Sequence, residues 1–268
     1  DHLGGGFHRY STDREWTIPH FEKMLYDQAT LSRLYSIGFQ ITKISFFEQI
    51  ARETLDYVLR TMTGSNGRFF SAEDADTEYE EGKFYIWTKA DLRKALKPVE
   101  LKIFNKTYNL SNGNNHKLIE KRQNVIHLIK LPKEKPPIKA ILKKLFLYRS
   151  KRSKPFKDDK TITAWNGLMI GSFAKSYQIL KDKKYLFAAQ KSANFIKNNL
   201  DKNKILLRRY RDSSAEHSAT LDDYAYLISG LIDLYESDFN SKWIQWALDL
   251  QKRQDYNLWE KENGGYYF

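Results

Sequence analysis

The chain contains no cysteine among its 268 residues. This absence excludes disulfide bonds, thiolate metal ligands and a thiol nucleophile within this sequence. It also fits a reducing compartment, so we expect a cytoplasmic location. No hydrophobic run approaches the roughly 18 apolar residues of a membrane-spanning helix, and we therefore expect no membrane partner.

The sequence also lacks an initiator methionine and the pattern of a signal peptide. It opens on a glycine-rich turn at residues 1–6 and stops in a glycine-aromatic turn at residues 264–268. We therefore expect it to be a fragment of a longer protein.

Hydrophobic residues make up 41% of the chain and aromatic residues 15%, which is typical of a folded domain with a sizeable core. The net charge is +12, and much of the excess lies between residues 130 and 160. Basic segments of this kind occur in nucleic-acid-binding proteins. However, lysine is abundant throughout, and the zinc-finger, RNP and helix-turn-helix patterns are missing. We therefore favour a solvated basic face over a nucleic-acid partner.

Residues 16–27, WTIPHFEKMLYD, form the most informative segment of the chain. Proline fits the first turn of a helix, so we predict a helix that begins just after Pro19. Lys23 and Asp27 would then lie four residues apart on one face, with His20 and Glu22 nearby. Such a group is typical of a cleft wall that holds a ligand, and equally of a buried, mutually neutralised polar cluster.

Pairs of helical patterns recur along the chain with a period of about 60 residues. They cover residues 21–40 with 46–62, 166–180 with 185–200, and 222–235 with 242–250. This repeat predicts helical hairpins side by side, in an open solenoid or a closed toroid, and the long aromatic-rich linkers favour the toroid. We interpret residues 81–148 as an irregular, elaborated hairpin of the same single domain, with a short helix near 89–96 and loops at 112–115 and 132–137.

Several motifs occur in an order that resembles the spermatogenesis-associated protein 20 family of thioredoxin domain-containing proteins. They are GGFHRYS (5–11), WTIPHFEKMLYD (16–27), DAD (74–76), EGKFYIWT (81–88), DDK (158–160), WNG (165–167) and DDYA (222–225). The resemblance implies an all-α, (α/α)6 toroid of the six-hairpin glycosidase type, akin to N-acylglucosamine 2-epimerases. About four of the six hairpins are visible in the sequence. The family's thioredoxin-like domain, which is missing here, would be a partner within the full-length chain.

Polar residues at the starts of the predicted inner helices and in the glycine-aromatic turns are the site candidates. His20 is the leading candidate for proton transfer, because histidine titrates near neutrality and sugar epimerisation needs acid and base groups. Paired carboxylates catalyse glycoside hydrolysis, although the same residues also cap helices and turns. The catalytic candidates are His20, Asp27, Asp74, Asp159 and Asp223. The substrate-binding candidates are Arg9, Trp16, Glu22, Lys23, Asp76, Trp87, Lys160, Trp165, Asn166 and Tyr224. We expect neither a metal nor a cofactor.

Two function hypotheses follow. In the first, the domain binds or processes a carbohydrate by epimerase-like or hydrolase-like acid–base chemistry. In the second, it is a non-catalytic scaffold that holds a peptide or protein for the missing thioredoxin-like domain. Convergence of the candidate side chains on one cavity would favour the first hypothesis, and their dispersal among separate helix caps would favour the second.

Overall fold

The computed structural model describes residues 1–111, 118, 124–130 and 138–268. The chain forms two compact units: the first contains residues 1–23 and 73–156, and the second contains residues 24–72 and 157–268. The predicted loops at 112–115 and 132–137 lie outside the described residues. That the whole chain is a single domain stays a prediction.

The described elements follow the chain in this order: β1 (Tyr10–Ser11), β2 (Pro19–His20), β3 (Lys23–Met24), α1 (Leu25–Thr42), α2 (Ser45–Thr61), β4 (Ala72–Glu73), β5 (Asp76–Thr77), β6 (Glu80–Glu81), α3 (Lys89–Ala95), α4 (Pro98–Thr107), β7 (Tyr108–Ser111), β8 (Val125–Leu128), α5 (Lys139–Arg149), β9 (Lys157–Asp158), β10 (Thr161–Ile162), α6 (Thr163–Leu180), α7 (Lys183–Asn199), β11 (Asp201–Lys202), β12 (Ile205–Arg211), β13 (Ser214–Ser218), α8 (Leu221–Asp238) and α9 (Ser241–Leu258).

The described residues of the first unit combine short antiparallel strand pairs with three helices. β1 pairs with β2, β5 with β6, and β7 with β8. A capping box between Thr88 and Asp91 begins α3, and a proline at the first turn begins α4. One apolar cluster surrounds Trp87 and Phe104, and a smaller cluster surrounds Phe21. The short predicted helix near residues 89–96 is confirmed.

The second unit contains three helical hairpins, α1 with α2, α6 with α7, and α8 with α9. Only two residues separate the helices of each hairpin. The first of the two adopts a left-handed conformation each time, at Lys43 (φ 58°), Lys181 (φ 59°) and Phe239 (φ 54°). A left-handed residue ends a helix and lets the chain reverse. The predicted helix pairs are therefore confirmed, with tighter turns than the sequence indicated.

The first helices of the three hairpins pack side by side and parallel. Ser32 of α1 is 2.7 Å from Ser172 of α6, and Ser36 is 2.9 Å from Ser176, both measured between hydroxyl oxygens. A constant sequence offset between contacting residues requires parallel helices. Gly230 of α8 faces Gly167 of α6, where a methyl group would lie 2.3 Å from the Gly167 carbonyl oxygen. Small residues thus allow these backbones to approach closely.

The predicted start of the first helix, just after Pro19, is wrong. Residues 19–20 and 23–24 form strands β2 and β3, and α1 begins at Leu25. The burial of the side chains alternates here, because Phe21 and Lys23 are buried whereas His20 and Glu22 are half-exposed. This period of two is that of a strand. Lys23 and Asp27 are consequently not two residues of one helical face.

Candidate functional site

A polar group in the first unit, which we name the His20 cluster, contains Arg9, Tyr10, His20, Glu22 and Glu81. Nδ1 of His20 lies 2.7 Å from Oε1 of Glu81, and Nε2 lies 3.7 Å from Oε2 of Glu22. Arg9 donates to the same Glu22 oxygen at 3.0 Å. The His20 side chain is 24% exposed, so an imidazole held between two carboxylates remains accessible.

The backbone of the first two strands positions this cluster. Tyr10 of β1 lies opposite His20 of β2, and their rings stack with centroids 4.9 Å apart. The Arg9 amide donates to the Glu22 carbonyl at 2.9 Å, which extends the pairing beyond the strands. Because side chains alternate along an extended chain, His20 and Glu22 share one face. Glu81 comes from β6, the second strand of the β5–β6 hairpin.

This arrangement is suited to proton transfer. When the N–H group at Nδ1 donates a hydrogen bond to the Glu81 carboxylate, Nε2 carries the free lone pair and can accept a proton. Of the predicted site residues, the structure brings Arg9, Glu22 and His20 together. Glu81 was missed, although it opens the EGKFYIWT motif, because it sits in a run of acidic residues that resembles an ordinary turn.

Lys23 takes part in a buried ion network of the first unit. It is 1% exposed, and its Nζ donates to Oδ2 of Asp1 at 3.0 Å and to the carbonyl of Gly5 at 2.9 Å. Arg149 donates to both oxygens of Asp1, at 2.9 and 2.7 Å. Burial of charged groups is tolerated when they are paired in this way. Of the two interpretations of residues 16–27, the buried and mutually neutralised polar cluster therefore describes the environment of Lys23.

His8 is a half-buried histidine of the first unit. Its Nδ1 lies 2.9 Å from the Phe21 carbonyl, and its ring meets the edges of Phe21 and Tyr85. Burial lowers the pKa of His8 well below its usual 6.5, and the positive charge of Lys23 lowers the pKa further. His8 is therefore neutral in the folded protein at neutral pH.

We expect His8 to make the protein less stable in mild acid. Below pH 6.5 His8 binds a proton in the unfolded chain but not in the folded protein. The stability that neutral His8 contributes is therefore present above pH 6.5 and is lost as the pH falls towards the pKa of His8 in the folded protein. The wild type should lose up to about 1.4 kcal/mol per pH unit relative to His8→Asn, which keeps a donor for the Phe21 carbonyl. Denaturant unfolding at pH 7 and pH 5 measures this difference, and equal pH slopes for the two proteins would contradict it.

The other candidates of the first unit, Asp74, Asp76, Trp16 and Trp87, make contacts outside the His20 cluster. Asp74 and Asp76 are exposed, and Oδ1 of Asp74 accepts from the Asp76 amide at 3.2 Å, as in a turn. Trp16 is 80% exposed, whereas Trp87 is buried in the core. Arg152 lies over the Trp87 ring at 4.5 Å, which makes Trp87 a packing residue.

Asn166, near the start of α6, is fully buried and joins three segments of the second unit. Its Oδ1 accepts from the Phe69 amide at 3.0 Å and the Ser192 hydroxyl at 3.2 Å. Its Nδ2 donates to the carbonyls of Phe69 at 3.1 Å and Ile162 at 3.0 Å. The amide group is thus saturated by the protein, which is the pattern of a structural residue.

Replacing Asn166 with alanine should therefore destabilise the protein by about 3 kcal/mol, because several buried partners lose their hydrogen bonds. Asn199→Ala is the matched control: its side chain is half-buried and donates to one helical carbonyl, that of Phe195, at 2.9 Å. The control should cost less than about 1 kcal/mol. Denaturant unfolding compares the two. A stable but inactive Asn166→Ala protein would instead indicate a ligand contact.

Asp223 has a similar structural role at the start of α8. Its carboxylate accepts from the Thr220 amide at 2.9 Å in a capping box, and from the Ala164 amide of α6 at 2.9 Å. Burial raises the pKa of Asp223, and the two amide donors offset part of this effect. Burial likewise raises the pKa of the neighbouring Tyr224. Asp223 therefore joins the N-termini of two parallel helices.

The DDK motif precedes β10 in the second unit and forms ion pairs near the surface. Asp159 lies 3.1 Å from Nε of Arg211 and 3.5 Å from Nη2 of Arg68. Lys160 pairs with Asp158 at 2.9 Å. Burial alone would raise the pKa of Asp158, but the hydrogen bonds from Lys160 outweigh burial and lower it. Each of these ion pairs contributes little to the stability of the segment that leads into β10.

Asp27 and Trp165 occupy the first turns of α1 and α6. Both are half-buried, and Trp165 packs edge-on against Tyr26 with ring centroids 4.9 Å apart. Asp27 lies in the first turn, where a negative charge is favourable to the helix dipole. The candidates at helix starts thus lie at the same end of the parallel helices α1, α6 and α8, but the side chains of Asn166 and Asp223 are buried.

The described residues contain no group of three or more His, Asp or Glu side chains that could hold a metal ion. None of the helices described has the length and apolar character of a membrane span.

Comparison with known proteins identifies curated proteins that are similar to this chain. No family model matches it. It is 34% identical to spermatogenesis-associated protein 20 from Homo sapiens and 37% identical to that from Rattus norvegicus, over 100% of this chain and 39% of each relative. The chain therefore spans about two fifths of the length of these curated relatives.

Solved structures show the same fold at low sequence identity. Cellobiose 2-epimerase from Spirochaeta thermophila superposes with a TM-score of 0.62 at 10% identity, over 100% of this chain and 51% of the epimerase. The enzyme of that name from Bacillus thermoamylovorans gives 0.61 at 9% identity, over 98% and 52%. A GH76 alpha-mannanase from Bacteroides thetaiotaomicron gives 0.56 at 12% identity, over 97% and 51%. All of this chain thus matches part of spermatogenesis-associated protein 20, and its all-α fold is that of the (α/α)6 toroids of the six-hairpin glycosidase type, of which it covers about half.

Proposed function

We propose that this chain is a carbohydrate-binding or carbohydrate-processing domain in which His20 transfers protons. The observation that carries the proposal is the half-exposed imidazole of His20 between two carboxylates, Glu81 at 2.7 Å and Glu22 at 3.7 Å. The fold supports a carbohydrate ligand, because the neighbours in structure include proteins named as an epimerase and a mannanase. Fold alone does not assign a reaction, so the proposal depends on the cluster.

The His20 cluster fits two reactions on sugars. In 2-epimerisation a base removes the proton from the carbon beside the carbonyl, and a proton returns to the other face of that carbon. In hydrolysis an acid protonates the leaving oxygen while a carboxylate acts on the anomeric carbon or on water. In this proposal His20 serves as the acid or the base, and Glu22 supplies the nearby carboxylate. Arg9, paired with Glu22, is placed to orient that carboxylate or a sugar hydroxyl.

A sugar panel tests this proposal on the full-length protein. Neutral mono- and disaccharides, including cellobiose and mannobiose, are each added at saturating concentration, and both thermal stabilisation and product formation are recorded. We expect at least one sugar to raise the unfolding temperature and to be converted. Absence of both responses across the panel would overturn the proposal.

A non-catalytic scaffold is the second candidate, and the environments of Asn166 and Asp223 favour it. Both were predicted to face a ligand, yet both are buried and bonded to the backbone of the second unit. In this proposal the domain holds a peptide or protein for a thioredoxin-like domain of the full-length chain. His20→Ala and Asp223→Ala, tested separately, discriminate the two. Loss of stability without loss of a specific ligand supports the scaffold, whereas loss of sugar turnover with unchanged stability in His20→Ala supports the carbohydrate proposal.

A further inference from the structure

The three described helices of the first unit carry a large excess of positive charge. Residues 89–107, which contain α3 and α4, include six Lys or Arg and two Asp or Glu. Residues 139–154, which contain α5, include seven Lys or Arg and no acidic residue. The two segments together carry a net charge of +11, against +12 for the whole chain. The second unit has 22 basic and 19 acidic residues, so it balances its lysines with carboxylates and these helices do not.

α4 turns its lysines away from the core. Lys102 and Lys106 are exposed, and they lie two residues to either side of Phe104, which is fully buried. Two residues correspond to about 200° around a helix. Both lysines therefore lie on the side of α4 opposite its buried ring.

α5 repeats this pattern. Exposed Lys139 and Lys143 lie two residues to either side of buried Ile141, which packs in the apolar cluster that also takes the buried side of α4. Lys144 pairs with Glu100 in the first turn of α4, which joins the two helices. We name the four exposed lysines opposite the buried residues the outer lysines: Lys102, Lys106, Lys139 and Lys143.

The two carboxylates of these segments are already engaged. Oδ2 of Asp91 accepts from the Thr88 amide at 2.9 Å and lies 3.8 Å from Nη2 of Arg152. Glu100 caps the start of α4 and pairs with Lys144. Within the part of the chain that the structure describes, the outer lysines form no ion pair. Their charges are therefore available to an anionic partner.

We propose that the outer lysines bind the phosphate backbone of double-stranded nucleic acid without reading its base sequence. Each lysine that neutralises a phosphate releases a condensed counterion, which drives the binding of a polyanion to such a surface. The zinc-finger, RNP and helix-turn-helix patterns that the sequence lacks serve readout of bases or single strands, and backbone binding does not require them. The proposal is independent of the carbohydrate function above.

The same surface is less suited to other anionic partners. α3, α4 and α5 carry no largely exposed aromatic side chain, whereas proteins that bind single strands stack the bases on such rings. Protein interfaces are enriched in arginine and aromatic residues and depleted of lysine. The large apolar side chains that these helices expose are Val99 and Leu147, one on α4 and one on α5. They do not form the continuous apolar face with which a helix enters a membrane surface.

Fluorescence anisotropy on the full-length protein tests the surface with a labelled DNA duplex, an RNA duplex and a DNA single strand over a range of salt concentrations. We expect a duplex to bind, with log Kd rising against log salt concentration at a slope of about 4, since each phosphate contact adds about 0.9. The outer lysines are replaced in pairs, Lys102→Gln with Lys106→Gln and Lys139→Gln with Lys143→Gln. Each double variant should lower the slope by about 2.

Lys183→Gln with Lys252→Gln is the matched control, because both are exposed lysines on helices of the second unit. It should keep the slope of the wild type. Glutamine has nearly the helix propensity of lysine, and thermal unfolding verifies that each variant is folded.

Four results would overturn the proposal. They are no binding of either duplex at low salt, equal slopes in the control and both outer-lysine variants, tighter binding of the single strand than of both duplexes, and binding of polyglutamate or of phosphatidylserine vesicles as tight as that of the duplexes. Sugar turnover is measured without nucleic acid, so failure of this proposal would leave that of His20 standing.

Discussion

Gly230→Ala is expected to lower the free energy of unfolding by about 3 kcal/mol, the upper part of the range for overpacked cores. The added methyl carbon would lie 2.3 Å from the carbonyl oxygen of Gly167 and 3.3 Å from the amide nitrogen of Gly171. These atoms belong to helix backbone and cannot rotate away as a side chain can. α6 and α8 must therefore separate, which loosens the packing of Leu227 and Leu231, both fully buried.

Gly38→Ala is the matched control, because Gly38 lies inside α1 and its new methyl group would meet a movable side chain, Phe47, at 3.2 Å. Alanine is also favoured over glycine in a helix by up to about 1 kcal/mol. The control should therefore remain within about 1 kcal/mol of the wild type. Denaturant unfolding of the three proteins measures both effects. A Gly230→Ala protein as stable as Gly38→Ala would show that the two inner helices are not in backbone contact.

The helical hairpins could be predicted from sequence because each helix carries its own signal. Apolar residues recur at helical spacing in α2, α7 and α9, and polar caps such as Asp182 and Asn240 mark the starts of α7 and α9. The family resemblance supplied the way the hairpins assemble. Nothing local indicated the two-residue turns, since lysine and phenylalanine rarely mark a left-handed position.

The candidate site was predicted less well, because residue type does not reveal which way a polar side chain turns. Asn166 and Asp223 follow the same motif logic as His20, yet the first two satisfy buried backbone groups. The error at Pro19 has a different cause. Proline suits a strand end as well as a helix start. Here Pro19 and His20 form a strand because they pair with β1. Long-range pairing of this kind is invisible in a single segment.

His20→Ala is expected to lower kcat/KM for the converted sugar by about 10²- to 10⁴-fold, the usual contribution of a general acid or base. The fold should survive, because His20 is half-exposed and lies outside the apolar clusters. The expected loss has a physical reason: Glu22 and Glu81 remain, but neither carries the exchangeable proton of an imidazole near neutral pH. Steady-state kinetics with thermal unfolding as a check measures the effect.

His217→Ala is the control for this variant. His217 is an exposed histidine whose Nε2 lies 3.9 Å from the Glu216 carboxylate, so it reproduces the histidine–carboxylate pair outside the His20 cluster. We expect its kcat/KM within about twofold of the wild type, since an exposed surface substitution changes little.

The most direct test of proton transfer by His20 is kcat/KM of the full-length protein and of its His20→Ala variant for the best sugar of the panel. We expect measurable conversion by the wild type and a loss of about 10²-fold or more in the variant, with unchanged thermal stability. Equal conversion by the two proteins would contradict the role proposed for His20.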